Sequence, residues 1–402
     1  MAATNRDQRR AAHVTRSLRG VNRFMTHSGW AQRRDRRGVM DFALGNPQDM
    51  PMPEITQALK FWADPLTRDW FAYKTSDSCA QIVAARSLRE RTGVPFESED
   101  IAMTNGAFGA LTAGIKLVTL PGDEVLFNLP PWFCYEALIE DAGAVPVKVN
   151  VQPEDFDLDI AAIAEAISPR TRLVILNTPH NPTGRIYDRR SLQELASVLE
   201  EASRRNGRRI YLLSDEVYAR IVFDGNRAVS PAEVYDHTLV VYSWSKQLLI
   251  PGQRIGYLAV HPNMPEREEL REEVVAIQLA SGYAFPNALL QHALGDLDRL
   301  SINVDHLQRK RDRMVGALRE IGYEVHSPQA TFYLLPKSPI ADDQLFSEML
   351  AERDVFVVPG ALVEYPGYFR ISLTASDDMI ERSLPHFEAV YRLSRLQESM
   401  IA

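Results

Sequence analysis

Short apolar runs alternate with longer amphipathic stretches through the middle of the 402-residue chain. Each short run is bounded by polar or turn-forming residues, which predicts a β-strand. The predicted strands lie at residues 123–128, 145–151, 173–176, 210–213, 239–242 and 256–260. Strands that are almost continuously apolar and alternate with helices are typical of a mainly parallel sheet covered on both faces. The pattern therefore predicts a three-layer α/β/α domain.

The stretches between the strands have helical periodicity. One predicted helix at residues 190–205 ends at Asn206-Gly207, a favourable stop signal, and an apolar helix is predicted at residues 110–120. After residue 281 the pattern changes. It predicts a long charged helical region, three short strands and a final helix, at residues 287–321, 332–335, 356–358, 369–373 and 378–395. This part of the chain is expected to form a smaller α+β domain.

Charge is distributed unevenly along the chain. The net charge is −8, but residues 1–40 contain ten arginines and only Asp7 and Asp35 as acids, giving +8 and leaving −16 for the remainder. A basic arm on an acidic body is suited to nucleic acid, to a membrane surface or to a partner subunit. The charge pattern alone leaves all three open.

The composition excludes several classes of protein. Hydrophobic residues make up 45% and charged residues 24%, as in a soluble globular protein and unlike a disordered one. No run approaches the ~20 apolar residues of a membrane-spanning helix, and no secretory signal is found. Cys79 and Cys134 are the only cysteines. They predict reduced thiols in a cytoplasmic protein, and no Cys/His spacing indicates a metal site.

Polar clusters follow three consecutive predicted strands. NTPHNPTG (177–184), SDEVY (214–218) and SWSK (243–246) each begin where a strand ends, and PGQRIGY (251–257) comes next. Ligand sites in parallel α/β sheets lie at the carboxyl edge, so we expect these clusters to form a site there. Lys246 could form a Schiff base in such a position, although an isolated lysine at a strand end more often reaches solvent.

In this order and spacing, the motifs resemble those of the class I and II pyridoxal-phosphate-dependent aminotransferases, the aspartate aminotransferase fold family. The resemblance covers about residues 41–395. It implies pyridoxal 5'-phosphate as cofactor and a large cofactor-binding domain at residues 50–285. It also implies a small domain at residues 286–402, with residues 1–49 forming an N-terminal arm and part of that small domain.

The resemblance implies a role for each matching residue around the cofactor ring. Lys246 resembles the Schiff-base lysine, which also moves the proton between the substrate Cα and the cofactor. Asp215 resembles the carboxylate that keeps the ring nitrogen protonated, although alone it would be read as a helix N-cap. Tyr218 and Asn181 resemble the donors to the phenolate oxygen, and Trp132 resembles the aromatic residue that stacks on the ring.

The same resemblance implies how the cofactor phosphate is bound. A backbone cup at a helix start and several side chains would contact it, formed by Gly106, Ala107, Phe108, Ser243, Ser245 and Arg254. Tyr73 resembles a tyrosine that reaches the phosphate of the neighbouring subunit, which implies a homodimer with shared active sites. Arg370 resembles the arginine that binds the substrate α-carboxylate, beside Gly45 and Asn181.

The sequence departs from the family pattern at two motifs. Residues 330–333 are Ala-Thr-Phe-Tyr instead of Gly-Ala-Phe-Tyr, and residues 45–48 are Gly-Asn-Pro-Gln instead of Gly-Glu-Pro-Asp. Both changes would affect substrate choice more than cofactor binding. No residue is identified as a reader of a second carboxylate, so a dicarboxylic amino acid is not indicated.

The sequence therefore predicts an aminotransferase that moves an amino group between an L-amino acid and a 2-oxo acid. The alternative is another carbanion reaction of the same cofactor, either β-elimination by a C–S lyase or oxidation or cyclisation in natural-product biosynthesis. A DNA-binding regulator is disfavoured because a 40-residue arm is too short for a complete helix-turn-helix domain. We expect neither nucleic acid nor membrane as a partner, and we expect the basic arm to pack against the acidic body or a partner subunit.

Overall fold

The computed structural model describes residues 10–401, with side chains described up to residue 396. Its α-helices are α1 (Arg10–Ser17), α2 (Arg19–His27), α3 (Gly29–Arg33), α4 (Pro53–Trp62), α5 (Ser78–Thr92), α6 (Gly106–Val118), α7 (Tyr135–Asp141), α8 (Ile160–Ala166), α9 (Arg189–Asn206), α10 (Trp244–Gln247), α11 (Arg267–Ser281), α12 (Ala288–Leu297), α13 (Val304–Ile321), α14 (Asp343–Ala351) and α15 (Asp377–Ile401). Its strands are β1 (Met40–Asp41), β2 (Ile101–Thr104), β3 (Glu124–Leu129), β4 (Val145–Asn150), β5 (Thr171–Asn177), β6 (Tyr211–Asp215), β7 (Thr238–Ser243), β8 (Gly256–Val260), β9 (Tyr333–Leu334), β10 (Val355–Phe356), β11 (Val358–Pro359) and β12 (Phe369–Ser372). None of the described helices is long and apolar enough to span a bilayer.

A seven-stranded sheet forms the centre of the molecule, in the order β2-β8-β7-β6-β5-β3-β4. The five strands from β7 to β4 pair in parallel, and β8 runs antiparallel between β7 and β2. This confirms the predicted α/β fold with a mainly parallel sheet. The six strands expected from the apolar runs are all present, with ends within two residues of the prediction.

The sheet is buried on both faces because its strands carry apolar residues at consecutive positions. Neighbouring residues of a strand point to opposite faces. In β6, Leu213 joins a core cluster with Ile115 of α6, whereas Leu212 joins another cluster with Leu199 of α9. Helices therefore cover both faces of the sheet, which gives the three predicted layers.

Two predicted elements differ from the structure. The helical region at residues 287–321 is interrupted between α12 and α13, because the Asn303 side chain accepts a hydrogen bond from the His306 backbone and starts a new helix. The strand predicted at residues 356–358 is divided in two. Its first part pairs with β1 and its second part with β12, so the chain changes partner at Val357.

Residues near the N-terminus and residues of the C-terminal third of the chain form a further apolar core beside the large sheet. Met40 and Phe42 share one apolar cluster with Leu318, Phe369 and Phe387. The small three-stranded sheet β11-β12-β9 and the β1-β10 pair lie in this region. Strand β12 is thereby supported from both ends of the sequence, and it carries Arg370.

The basic arm packs against the rest of the same chain. Helix α1 contacts α7, and further along the arm Phe24 stacks on Trp30 with ring centroids 5.4 Å apart. Trp30 is buried, and its Nε1 donates to Asp41 over 3.0 Å. The first nine residues of the arm lie outside the described part of the chain.

Candidate active site

Three neighbouring parallel strands end at the same edge of the sheet. Their last residues are Asn177 of β5, Asp215 of β6 and Ser243 of β7, and Asn177 pairs in register with Asp215. The Asn177 side chain donates to the Asp215 carbonyl oxygen over 2.8 Å and accepts from the Asn181 backbone over 2.7 Å. Strand pairing and these side-chain bonds thus bring the polar clusters together, as the sequence predicts.

A cavity of about 420 Å³ opens at this edge. Twelve of the fourteen residues predicted to form the site line it, namely Gly45, Ala107, Phe108, Trp132, Asn181, Asp215, Tyr218, Ser243, Ser245, Lys246, Arg254 and Arg370. They come from positions 325 residues apart in sequence, from Gly45 to Arg370. The remaining two, Gly106 and Tyr73, are not part of the cavity wall.

Gly106 lies directly behind the wall and has a backbone conformation that favours glycine. Its φ is 71°, and a Cβ atom built on it would be 2.5 Å from Nη2 of Arg254. The absence of a side chain therefore lets the guanidinium group lie against the first turn of α6.

The start of α6 is an anion-binding arrangement. The Asn105 side chain does not cap the helix and instead donates to the Tyr283 carbonyl oxygen over 3.0 Å. The first backbone N–H groups of α6 are therefore free of a side-chain cap, at the positive end of the helix dipole. Arg254 adds a positive charge, although burial lowers its pKa, and Nη1 donates to the Pro251 carbonyl oxygen over 2.7 Å.

Asp215 is buried in the cavity wall and forms no salt bridge among the described residues. Tyr135 donates its hydroxyl proton to Oδ2 over 2.6 Å, whereas Oδ1 is buried and has no hydrogen-bond partner. Burial raises the pKa of Asp215 to about 6, although the bond from Tyr135 lowers it. The free oxygen is suited to a cationic N–H donor in the cavity.

Lys246 extends toward two aromatic rings. Nζ lies 5.9 Å from the ring centroid of Tyr218 and 5.7 Å from that of Phe332. The Tyr218 and Tyr333 rings lie edge to face, with centroids 6.0 Å apart, and their hydroxyls interact electrostatically. Burial raises the pKa of Tyr218, whereas the nearby charges of Lys246 and Arg370 lower the pKa of Tyr333 in spite of its burial. The Lys246 amine and the two tyrosines therefore lie close together in the cavity wall.

Arg370 is a buried cation held by neutral groups. Its Nη2 donates to the Ala43 carbonyl oxygen over 3.0 Å, its Nη1 to Asn181 Oδ1 over 3.4 Å, and its Cζ lies 4.3 Å from the Tyr333 ring centroid. Nε is buried without a partner. No carboxylate among the described residues lies within salt-bridge distance of this guanidinium, so an anionic ligand would supply the missing charge.

Gly45 lines the cavity beside Tyr333, the residue that packs on Arg370. A Cβ atom at this position would overlap the Tyr333 hydroxyl oxygen and would lie 2.8 Å from Cε2 of Phe332. Only glycine therefore allows the backbone to approach these two rings. Its neighbours Leu44 and Asn46 also line the cavity.

Tyr73 lies outside the cavity of its own chain. Its side chain is 88% exposed and packs on Phe285, with ring centroids 5.0 Å apart. Its predicted role requires a second copy of the chain, and so stays a prediction.

Several residues of the site were not among the predicted ones, and three of them contact predicted residues directly. Tyr135 donates a hydrogen bond to Asp215, and the Tyr333 ring packs on Arg370. The Asn177 side chain accepts a hydrogen bond from the backbone of Asn181 and so holds the turn that carries it. Tyr333 is the last residue of the motif at residues 330–333 and matches the family pattern there, which was the available signal. Nothing in the local sequence distinguishes Tyr135 from a core aromatic residue.

Comparison with known proteins gives a consistent picture. The family model for aminotransferase class I and II matches residues 37–387. The aspartate/prephenate aminotransferase of Thermus thermophilus is 31% identical over 317 residues, covering 76% of this chain and 79% of its own. The crystal structure of an amino transferase from Eubacterium rectale has a TM-score of 0.85 and 29% identity, covering 95% of each chain. A tetra mutant of Thermus thermophilus aspartate aminotransferase has a TM-score of 0.78 and 27% identity, covering 89% of this chain and 98% of its own.

Proposed function

The chain belongs to the class I and II aminotransferases, and we propose that it moves an amino group between an L-amino acid and a 2-oxo acid, with Lys246 as the covalent anchor of its cofactor. It is a transaminase, and its cofactor is pyridoxal 5'-phosphate. The relatives named as aspartate or aspartate/prephenate aminotransferases support an amino acid and an oxo acid as the substrates. The observation that carries the proposal is one cavity that contains Lys246, Asp215 and Arg370 together.

The residues present fit pyridoxal phosphate at both of its polar ends. The unpartnered Oδ1 of Asp215 would accept a hydrogen bond from the protonated ring nitrogen. The uncapped start of α6 and the Arg254 guanidinium would bind the phosphate, with Ser243 and Ser245 beside them. When bound, the cofactor supplies an aldehyde carbon that bonds to amines and a ring that accepts the electron pair released at the substrate Cα.

The side chains between these two ends would orient the cofactor and tune it. Tyr218 and Asn181 line the cavity between Asp215 and Arg370, where their polar groups would donate to the phenolate oxygen. Trp132 lines the same cavity and is half-buried, so its indole face can stack on the ring.

Substrate binding would depend on the Arg370 cation, and proton movement on the neutral amine of Lys246. Arg370 would bind the α-carboxylate, because it is buried without a carboxylate partner and its planar group matches one. The backbone N–H of Gly45 would donate to the same carboxylate. Nζ of Lys246 would accept the proton that leaves the substrate Cα, since it is the amine in the cavity wall.

Lys246→Ala tests the proposal directly. The variant, isolated with added pyridoxal phosphate, should lack the visible absorbance band of a lysine-linked cofactor and should show no transamination. Lys337→Ala is the matched control, because Lys337 pairs with Glu324 at the surface, outside the cavity. A Lys246→Ala protein that keeps the band would contradict the role of Lys246. Release of pyruvate and ammonia by the wild type without an oxo acid would instead indicate a lyase.

We further propose that two copies of the chain form a homodimer with shared active sites. Exposed apolar side chains support this proposal, since Phe61, Leu66, Phe71 and Tyr73 are each more than half exposed. Such side chains within one short segment are typical of an interaction surface. Tyr73 would then reach the cofactor phosphate of the second copy.

A further inference from the structure

The cationic side chains of the cavity all have partners under the proposed function. Lys246, Arg254 and Arg370 are the only lysines or arginines in the wall among the residues that the structure describes. The first would hold the cofactor, the second its phosphate and the third the substrate α-carboxylate. A carboxylate on the substrate side chain would therefore enter the cavity without a counter-charge from this chain. Burying an unpaired carboxylate is strongly unfavourable.

Aromatic side chains form a continuous part of the cavity wall. The Phe108 and Trp132 rings meet edge to face, with centroids 4.6 Å apart, and Phe133 lies next to Trp132 at 6.0 Å. All three line the cavity. Phe108 is 44% exposed, although it borders a buried site, so much of its ring lacks an apolar neighbour within the chain.

Apolar residues continue around the wall. Leu44, Leu111 and Val217 line the same cavity. A substrate whose side chain lies on this surface would bury the exposed part of Phe108 and gain both apolar burial and ring contacts. A small side chain would leave that surface in water, and a charged one would be desolvated against it.

We infer that the amino donor is an amino acid with an aromatic or large apolar side chain, bound against Phe108 and Phe133. This inference rests on the proposed aminotransferase function and specifies the substrate class of the same site. Phe133 is then a specificity-determining residue that lies outside the set predicted from the sequence.

Single-turnover kinetics of the wild-type holoenzyme test the inference. Phenylalanine, tyrosine and leucine would each be mixed with the enzyme in the absence of an oxo acid, and compared with alanine, aspartate and glutamate. Loss of the visible cofactor band reports amino transfer. The second-order rate for the best aromatic or large apolar donor should exceed that for aspartate and glutamate at least tenfold. Faster reaction with an acidic donor or alanine would overturn the inference, whereas no reaction with any amino acid would overturn the proposed function.

A substitution at Phe133 provides a second, independent test. Phe133→Ala should lower the ratio of the phenylalanine rate to the alanine rate by roughly tenfold, because apolar contact with the larger donor is lost. Phe133→Leu should keep more of this ratio. Because both rates are measured on the same variant, a general loss of activity cancels in their ratio. Circular dichroism checks that each variant is folded. Leu345→Ala is the control, since Leu345 is exposed on α14 away from the cavity. An unchanged ratio in Phe133→Ala would contradict the assignment of Phe133.

Discussion

Asp215 has an environment that penalises its charge until a cation binds beside it. Its carboxylate is buried, only one oxygen is hydrogen-bonded, and its pKa is raised from 3.8 to about 6. The raised pKa means that the folded protein without cofactor is stabilised by the protonated form. The contribution of Asp215 to the free energy of unfolding is complete below its ordinary pKa of 3.8. It is lost as the pH rises from there through 6, and the total loss for a shift of this size is roughly 3 kcal/mol.

The cofactor should therefore stabilise the protein more at neutral than at acidic pH. Above pH 6, Asp215 is ionised, and the protonated ring nitrogen of the cofactor would offset its buried negative charge. Below pH 6, Asp215 is already neutral, so the cofactor offsets no charge there. We expect the rise in Tm on cofactor binding to be greater at pH about 7.5 than at about 5, by differential scanning fluorimetry. Asp215→Asn, which cannot titrate, is the control. An identical pH dependence in both proteins would show that Asp215 is not the group responsible.

The ring and the hydroxyl of Tyr333 have separable roles. The ring packs on Arg370, whereas the hydroxyl interacts electrostatically with that of Tyr218. Tyr333→Phe keeps the ring, so KM for the amino donor should change less than about threefold, while the pH profile of kcat shifts. Tyr333→Leu removes the ring and should raise KM about 3–30-fold, the range for a desolvated cation–π contact. Equal KM values for the two variants would exclude a role of the ring in positioning Arg370.

At the scale of elements, the first turn of α6 shows how a helix start and a distant loop form one binding arrangement. Gly106→Ala would place a methyl group 2.5 Å from Arg254 Nη2 and strain a φ of 71°. We expect the Kd of pyridoxal phosphate to rise at least tenfold. Gly109→Ala, one turn later, would meet nothing closer than 3.6 Å and should bind cofactor as the wild type does. Titration of each variant with pyridoxal phosphate, followed by absorbance, measures the two Kd values. Equal Kd values for Gly106→Ala and Gly109→Ala would contradict the role of Gly106.

The elements that the sequence predicts well are those with a strong local signal. The apolar runs of the parallel strands and the helix that ends at Asn206-Gly207 are recovered to within two residues. Strand β2 was not predicted, because its apolar run is only the three residues 101–103 and is shorter than a typical strand signal. The division of residues 356–358 between two sheets depends on which distant strand pairs with each part. Local sequence does not contain that information.

The same distinction applies to the site. Residues within motifs, such as Lys246, Asp215 and Arg370, are found from the sequence because each motif has a fixed spacing and chemistry. Tyr135 contacts Asp215 across 80 positions of sequence, through packing of α7 against the sheet. Such a residue is identified only when the fold is known.

At the scale of the whole molecule, we propose a division into a large domain at residues 50–285 and a small one at 286–402 with part of 1–49. The core shared by Met40, Phe42 and the C-terminal residues supports this division. The same cluster also contains Val217 and Tyr218, which follow β6. The two parts therefore meet at the active site.

A mixing experiment tests whether active sites are shared between two copies. Lys246→Ala should be inactive, and Tyr73→Ala should bind cofactor weakly. In a mixed dimer, the site that keeps Lys246 would receive Tyr73 from the other subunit. The mixture should therefore be more active at low cofactor concentration than Tyr73→Ala alone, after subunit exchange verified by native mass spectrometry. Activity that merely averages the two parents would contradict a shared site.

The distance in sequence between the two halves of the site has a consequence for biosynthesis. All strands of the large sheet, and Arg254, precede residue 261, whereas Arg370 comes about 116 residues later. At 5–20 residues per second, the ribosome needs roughly 6–23 s to add the intervening segment. During that interval the nascent chain contains every residue proposed to hold the cofactor, but not the arginine proposed to bind the substrate. The residues proposed to bind the cofactor are thus all present before synthesis of the chain is complete. The residue proposed to bind the substrate is added later, so the enzyme becomes active only after that.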